Sequence, residues 1–447
     1  MLQSWFSDAK LGIFIHWGIY SVLGIDESWA FHNGKISHAD YMRQLEGFTA
    51  SNWEPDKWAE LFVKAGAKYA VMTAKHHDGV ALFDTDQVTP SLRSTWPIRG
   101  LGGVETIELG HKNDSVPLSS VCQTPSKRDC LSEYLLAMRT HGLRTGVYFS
   151  HLDWSHGDYA SNSESGNAFE FSNSISDPEA WERFKTFHRA QLQEICTKYG
   201  DIDLLWFDGD WEGTDEDWEM SELRDQLLEW QPNVVLNSRL RGHGDYATPE
   251  QGLPIVAPAG PWEFCMTINN SWGYQPNDTA YKSPRQILHT FCDVIGLGGN
   301  LLLDIGPTES GTIPREQVAV LEHLGSWISK NKQSVYETVA GLPHGHYHGT
   351  STQSKDGKTI YLHIRGNGGG ETSLRGCHGT PTRISLLHTG QALQFKRLGG
   401  ADWMSVPGVI WIEVPSEKMD DQVSVVSVEF DEPPRLYRGH GQGISQN

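Results

Sequence analysis

Through the first 340 residues, short apolar runs keep ending on a polar residue and giving way to stretches of helical spacing. The run Leu204-Leu-Trp-Phe207 passes straight into Asp208-Gly209. An apolar run of this length bounded by a turn signal reads as a short buried strand. Asp208 then stands at its C-terminal end, where a carboxylate is costly unless hydrogen bonding or chemistry offsets it. Leu11-Gly-Ile-Phe-Ile15 likewise ends in His16-Trp17-Gly18, Tyr69-Ala-Val-Met-Thr-Ala74 in Lys75-His76-His77-Asp78-Gly79, and Thr145-Gly-Val-Tyr-Phe149 in Ser150-His151. Two more runs, through Val234-Val-Leu236 and Leu301-Leu-Leu303, fit the same pattern. Between them the spacing turns helical: Trp58, Leu61, Phe62 and Ala65 follow Pro55, which suits a first helical turn. Leu131, Tyr134, Leu135 and Met138 lie on one face of a segment stopped by Gly142. Further helices are predicted over 178–199, 221–230, 283–295 and 314–330.

Strands alternating with helices imply βαβ units and a parallel sheet. The count reaches about eight if weak strands near Val256 and Thr267 are included, which is the repeat of a (β/α)8 barrel. A doubly wound sheet would want a glycine-rich phosphate loop after the first strand, and His16-Trp17-Gly18 is not one. Beyond about residue 340 the pattern changes. Thr359-Ile-Tyr-Leu-His-Ile364, Thr382-Arg-Ile-Ser-Leu-Leu387, Val409-Ile-Trp-Ile-Glu-Val414 and Val423 to Phe430 follow one another with Gly- and Asp-containing turns and no helix between them. The expected organisation is a barrel over 1–340 followed by a small antiparallel β-sandwich over 341–447. The 447-residue length suits two domains. Residues 89–127 are rich in Gly, Pro and Ser and long for a loop, which points to a functional rim or partial order.

A formal net charge of −20 argues against nucleic acid or anionic membranes as partners and favours a neutral or cationic small ligand. No stretch is long and apolar enough to span a membrane. The first ten residues lack a basic segment followed by an apolar one, so no signal peptide is visible, and a cytoplasmic chain or a secreted chain relieved of its leader would read alike. Six cysteines without a CxxC spacing make neither a disulfide framework nor a zinc site, and buried free thiols are expected. The 17 Trp fit stacking on the apolar C–H faces of sugars, though they fit a large core as well.

Barrel enzymes carry their chemistry on the loops after the strands. Those positions hold His16, His76, His77, Tyr148, Asp208 and Arg239, with Glu250 and Glu263 shortly after. Two carboxylates among neutral donors fit glycoside hydrolysis, one acting at the anomeric carbon and the other protonating the leaving oxygen. Nearby His and Arg can hold sugar hydroxyls and keep Asp208 ionised. Any one of these residues taken singly also reads as a cap, a turn former or a satisfied core polar group. A metal-dependent barrel hydrolase using His16, His76, His77 and Asp208 is the rival, but adjacent His76 and His77 would point opposite ways on a regular strand. A non-catalytic sugar-binding module is the third class.

These motifs resemble those of the retaining α-L-fucosidase family of glycoside hydrolases. The resemblance runs from about Trp5 to Thr338, through Trp5-Phe-x-x-Ala-Lys-x-Gly-Ile-Phe-Ile-His-Trp-Gly18, Ala65-Gly-Ala-Lys-Tyr69, Lys75-His-His-Asp-Gly79, Leu205-Trp-Phe-Asp-Gly209, Ser271-Trp-Gly-Tyr274 and Asn300-Leu-Leu-Leu-Asp-Ile-Gly-Pro307. It implies Asp208 as nucleophile, and His16, His76, His77, Tyr148 and Arg239 on the fucose hydroxyls. Phe14 and Trp272 would line the side of the C5 methyl, an apolar feature that separates this 6-deoxy sugar from galactose. Gly244-Asp-Tyr-Ala-Thr-Pro-Glu250 resembles the segment carrying the acid/base in several members, which makes Glu250 the candidate and Glu263 its competitor.

The chain departs from the family in places. Many members read Glu-Trp-Tyr after the first strand, where this one has Glu27-Ser-Trp-Ala30. Trp29 can still stack, but Ser28 replaces a carboxylate that would hold a hydroxyl. Asp304 stands where an Asn is usual, and 89–127 is longer than usual. The resemblance implies an exo-acting α-L-fucosidase with no metal and no organic cofactor, taking a fucosylated oligosaccharide or glycoconjugate. Linkage preference is left open, and a homo-oligomer is among the assemblies the sequence allows.

Overall fold

The computed structural model describes residues 2–90, 93–97, 104–108, 116–160, 175, 177–366 and 370–439. The strands in chain order begin with β1 (Leu11–Ile15) and β2 (Tyr69–Lys75). A hairpin of β3 (Arg93–Pro97) and β4 (Val104–Glu108) lies within the long 89–127 segment, much of which falls outside the described residues. Then come β5 (Arg144–Ser150), β6 (Leu204–Asp208), β7 (Val235–Leu236), β8 (Glu263–Thr267) and β9 (Asn300–Ile305). Apart from the hairpin, these form one parallel sheet in the order β7-β6-β5-β2-β1-β9-β8.

The ring is completed by segment 245–251, which makes parallel bridges to β7's end through Asn237 and Tyr246 and to β8 through Ala247–Trp262 and Glu250–Cys265. Asp245 N–H donates to Leu236 O at 2.7 Å, and Cys265 N–H donates to Pro249 O at 3.1 Å. This irregular stave is the barrel's missing strand. The weak strand expected near Val256 is not there: Val256 is 81% exposed on a connection. Pro249 at the ladder and the Gly- and Pro-rich run after it cannot sustain regular pairing. The strand expected near Thr267 is β8.

Helices Pro55–Ala65, Cys130–Thr140, Pro178–Lys198, Met220–Trp230, Pro284–Gly296 and Arg315–Asn331 cover the outside of the ring. None lies on either side of segment 245–251, so the (β/α)8 pattern is complete in its strands and short by two helices. The two-residue period of the strands sorts side chains between the layers. Phe14, Tyr69, Val71, Tyr148, Leu204, Trp206, Cys265 and Leu302 fill the lumen, whereas Ile13, Ile15, Met72, Val147, Leu205 and Phe207 pack outward under the helices. Gly12 faces the lumen because a Cβ there would strike the Tyr69 ring, 2.3 Å away at Tyr69 Cζ. No helix among the described residues is long and apolar enough to cross a membrane. All six cysteines are free, five of them buried.

The C-terminal region adds β10 (Thr338–Ala340), β11 (Thr350–Ser354), β12 (Thr359–Arg365), β13 (Gly370–Arg375), β14 (Arg383–Leu386), β15 (Phe395–Leu398), β16 (Val409–Val414) and β17 (Val423–Glu429). They make an antiparallel sheet β10-β11-β12-β17-β14 facing a second one, β13-β16-β15. Ile360, Leu362, Val426 and Val428 point into the space between the sheets, against Ile410 and Ile412. The alternate residues Tyr361, Val423 and Val425 join the barrel's core, and Trp327 Nε1–H donates to Val423 O at 2.8 Å. The five-stranded sheet is therefore apolar on both faces, and one of them docks the sandwich on the barrel.

Candidate active site

Leu204, Trp206 and Asp208 face inward in turn along β6, so the strand's period carries Asp208 to the lumen's upper layer, directly over Trp206. Gly209, at φ +87°, turns the chain away, and its N–H donates to Asp208 Oδ1 at 3.0 Å. Tyr148, inward on β5, donates its hydroxyl to Asp208 Oδ2 at 2.8 Å. Arg239, after β7, donates from Nη1 to Asp208 Oδ1 at 2.6 Å and from Nη2 to Glu250 Oε2. One guanidinium thus holds both carboxylates, and its plane lies over the Trp206 ring with Cζ 4.6 Å from the centroid. Burial alone would push the Asp208 pKa up. The Arg239 guanidinium, His77 and the donated hydrogen bonds outweigh it and hold the carboxyl well below the usual range.

The three histidines form a wall of neutral rings. His16 Nδ1 meets Asp304 Oδ1 at 2.7 Å, His77 Nδ1 meets Ser150 Oγ at 2.6 Å, and His76 Nδ1 meets Ser28 Oγ. Burial lowers the pKa of His16 and of His76 to about 3, and that of His77 well below its ordinary value. His77 Nε2 lies 3.8 Å from Asp208 Oδ2. His76 and His77 do not point opposite ways: both follow the end of β2, where the register shifts between Thr73 and Lys75, and their rings sit 4.3 Å apart. Ser28 offers no substitute for the family's carboxylate, since its hydroxyl is spent on fixing the His76 ring. Neighbouring Glu27 accepts the Gly273 N–H instead and braces the loop that carries Trp272.

His16 and His76, but not His77, join Asp208, Tyr148, Arg239 and Glu250 as the polar lining of a cavity of about 320 Å³ at the C-terminal ends of the strands. Phe14 and Trp272, with centroids 6.0 Å apart, form one apolar wall. Trp29 forms another, with Trp211 stacked beside it at 6.1 Å. Trp206 and Trp211 line the cavity and were not among the sequence candidates. Trp206 carries the period-two signal, two residues before Asp208, whereas Trp211 sits in an irregular loop that no period describes.

Glu263, the competitor of Glu250 for the acid role, is not among the residues that line the cavity. It begins β8, so its inward side chain lies in the lumen's lower layer, fully buried. Trp206 Nε1–H donates to Glu263 Oε1 at 2.9 Å, Tyr246 OH donates to it at 3.3 Å, and Tyr69 OH to Oε2. Burial raises its pKa from 4.5 to about 7. A carboxyl bound more tightly to its proton in the folded state contributes stability that is complete below about pH 4.5 and lost as pH rises through about 7. Glu263→Gln is expected to remove that dependence, worth on the order of 3 kcal/mol, while leaving turnover within about threefold. Urea unfolding at pH 5 and 7.5, with an activity assay, checks both halves, and loss of turnover would return the acid role to Glu263.

A barrel with a shared-arginine carboxylate pair, in a small pocket walled by indoles at the strand C-termini, is the site of a glycoside hydrolase. The chain matches the family model for alpha-L-fucosidase over residues 1–333 and belongs to that family. It is 30% identical over 374 residues to tissue alpha-L-fucosidase of Homo sapiens, covering 75% of this chain and 69% of that protein. Its fold is similar to that of alpha-L-fucosidase isoenzyme 1 from Paenibacillus thiaminolyticus, with a TM-score of 0.80, 31% identity, and coverage of 96% of this chain and 98% of that one. Alpha-fucosidase of Thermotoga maritima in complex with fucose superposes with a TM-score of 0.74 at 27% identity, covering 96% and 97% of the two chains.

Proposed function

We propose that this chain removes terminal α-L-fucose from oligosaccharides or glycoconjugates by double displacement, with Asp208 as nucleophile and Glu250 as acid/base. The observation that carries the reading is the fork of Arg239, which keeps one carboxylate anionic at the cavity floor and fixes a second beside it near the mouth. Asp208 attacks the anomeric carbon from the face opposite the leaving group, and Glu250 protonates the departing oxygen. Glu250 then takes a proton from the water that opens the fucosyl ester, so the released sugar keeps its α configuration. Neutral His16, His76 and His77, each with Nδ1 already committed, have Nε2 left for sugar hydroxyls. Tyr148 and Arg239 steady the nucleophile, Trp29 stacks on the ring, and Phe14 with Trp272 receives the C5 methyl. The human tissue enzyme's name and the fucose complex of the Thermotoga maritima protein support the choice of sugar.

The test is Glu250→Ala on 4-nitrophenyl α-L-fucoside, whose leaving group needs little protonation. Turnover is expected to fall about tenfold there and about 10²–10⁴-fold on a fucosylated oligosaccharide, which needs the acid. Added azide should restore the aryl rate and yield α-L-fucosyl azide, because it attacks the covalent intermediate from the face Glu250 serves. Equal losses on both substrates, with no azide product, would remove Glu250 from the role.

A further inference from the structure

The N-terminal end of the barrel, opposite the catalytic cavity, holds an opening of about 480 Å³ at the junction with the C-terminal sheet. Pro258, Trp262 and Leu297 wall it on the barrel side, and Val339 and Ala340 of β10 wall it on the other. Its charged lining residues are Asp8, Lys10 and Lys355. Asp8 and Lys355 answer each other, with Nζ 2.6 Å from Oδ2. Lys10 is different. The residue is only 2% exposed, yet its ammonium has no hydrogen-bond or ion-pair partner among the described residues.

Lys10 is also held in a conformation that side chains avoid, with φ +62°. Its N–H donates to Asn300 Oδ1 at 2.9 Å, and its carbonyl accepts from Leu301 N–H at 2.8 Å, so the barrel fixes the backbone from both sides. A buried charge is costly unless something answers it. Burial accordingly lowers the Lys10 pKa to about 8, which still leaves the amine mostly protonated at neutral pH. In a chain of net charge −20, two ammoniums, Lys10 and Lys355, set beside the single Asp8 carboxylate in an opening with apolar walls are a local exception to the acidic surface.

We propose that this cavity binds a small organic carboxylate, with its anionic end on Lys10 and its apolar body between Trp262 and Val339. The charge count selects a monoanion: two ammoniums share the one Asp8 carboxylate, which leaves a single positive charge in excess, and Asp8 would repel a second negative charge. The walls select an apolar body over a bare inorganic ion. A ligand there would touch barrel and C-terminal sheet together, and would therefore stabilise the docked arrangement by mass action.

The test is a ¹⁹F NMR titration of the full chain with 4-fluorobenzoate, with and without saturating fucose. Saturable binding is expected, unchanged by fucose, while 4-fluorobenzyl alcohol, which has the same ring and no charge, should fail to saturate. Lys10→Met should weaken 4-fluorobenzoate at least about tenfold, because it removes the buried partner of the carboxylate. Lys355→Glu, at a side chain 51% exposed, should weaken it about threefold by reversing a rim charge. Fucoside turnover should be unchanged in both variants. Failure to saturate, displacement by fucose or by equimolar inorganic phosphate, or undiminished binding to Lys10→Met would each overturn the proposal. Should Lys10→Met not fold, unchanged affinity in Lys355→Glu overturns it.

Discussion

Asp208→Gly is expected to lower kcat/KM on 4-nitrophenyl α-L-fucoside at least about 10⁴-fold, some 5–6 kcal/mol of barrier. The loss is this large because no neighbouring group can take over. Glu250 lies on the other arm of Arg239, the three histidines have their Nδ1 atoms committed elsewhere, and Tyr148 donates rather than attacks. Burial and the Asp208 charge raise the Tyr148 pKa well above 10, so the phenol stays protonated in any ordinary assay. The variant should still fold, since Arg239 keeps its bond to Glu250 and the strand loses only one side chain, at its last residue. Azide entering the vacated space should react directly with the aryl fucoside and give β-L-fucosyl azide, one inversion in place of two. The two azide products, β here and α with Glu250→Ala, assign the two carboxylates independently of any rate. Near-normal turnover in folded Asp208→Gly would sink the nucleophile assignment.

How much of this was legible beforehand depended on whether a residue's position followed from a period. The inward placement of Phe14, Tyr148 and Asp208 follows from two-residue alternation read along strands that end in recognisable turn residues. The same alternation, read from the start of β8 rather than its end, would have sent Glu263 to the lower layer. The distinction is one of strand direction, because a carboxylate near a strand is not yet a carboxylate at the strand's C-terminal end. Glu250 stood with Glu263 among the carboxylates that follow the strands, and only a resemblance chose between them. The stave of Glu250 is irregular, carries Pro249, and pairs through isolated bridges, so nothing in apolar spacing announced it. Ser28 shows a further limit: its departure from the family motif was visible, but that its hydroxyl would be spent on His76 is a fact of packing between two distant loops. The strands Thr350–Ser354 and Phe395–Leu398 escaped for a related reason. Being polar or exposed, they owe their pairing to neighbours rather than to their own composition.

Arg239→Met tests the electrostatic half of the site, and two effects should appear together. The first is stability. Asp208 is 8% exposed, and its burial is compensated chiefly by the guanidinium, so removing that partner leaves a carboxylate in a poor environment at a cost of about 3–5 kcal/mol. The second is the sign of the pH dependence. In the parent protein the Asp208 pKa is depressed, so the stability it contributes is present above the unfolded value, about 3.9, and is lost as pH falls. Without Arg239 only His77 and the hydrogen bonds from Tyr148 and Gly209 still oppose the effect of burial, and the pKa rises, so this carboxyl should lend stability on acidification and withdraw it as pH climbs. The nucleophile must be ionised, hence the acid limb of kcat/KM should move to higher pH, and the rate at its optimum should fall about 10²–10³-fold. Arg239→Lys separates the two contributions. A single ammonium can restore a positive charge beside Asp208 and bring the acid limb back, but it cannot span Asp208 and Glu250 as the planar fork does. The lysine variant should therefore recover the pH profile while remaining at least about tenfold slow, because Glu250 is no longer held over the leaving oxygen. Full recovery of rate by lysine would mean that the site needs only the charge, and that the shared fork has no part in aligning the acid.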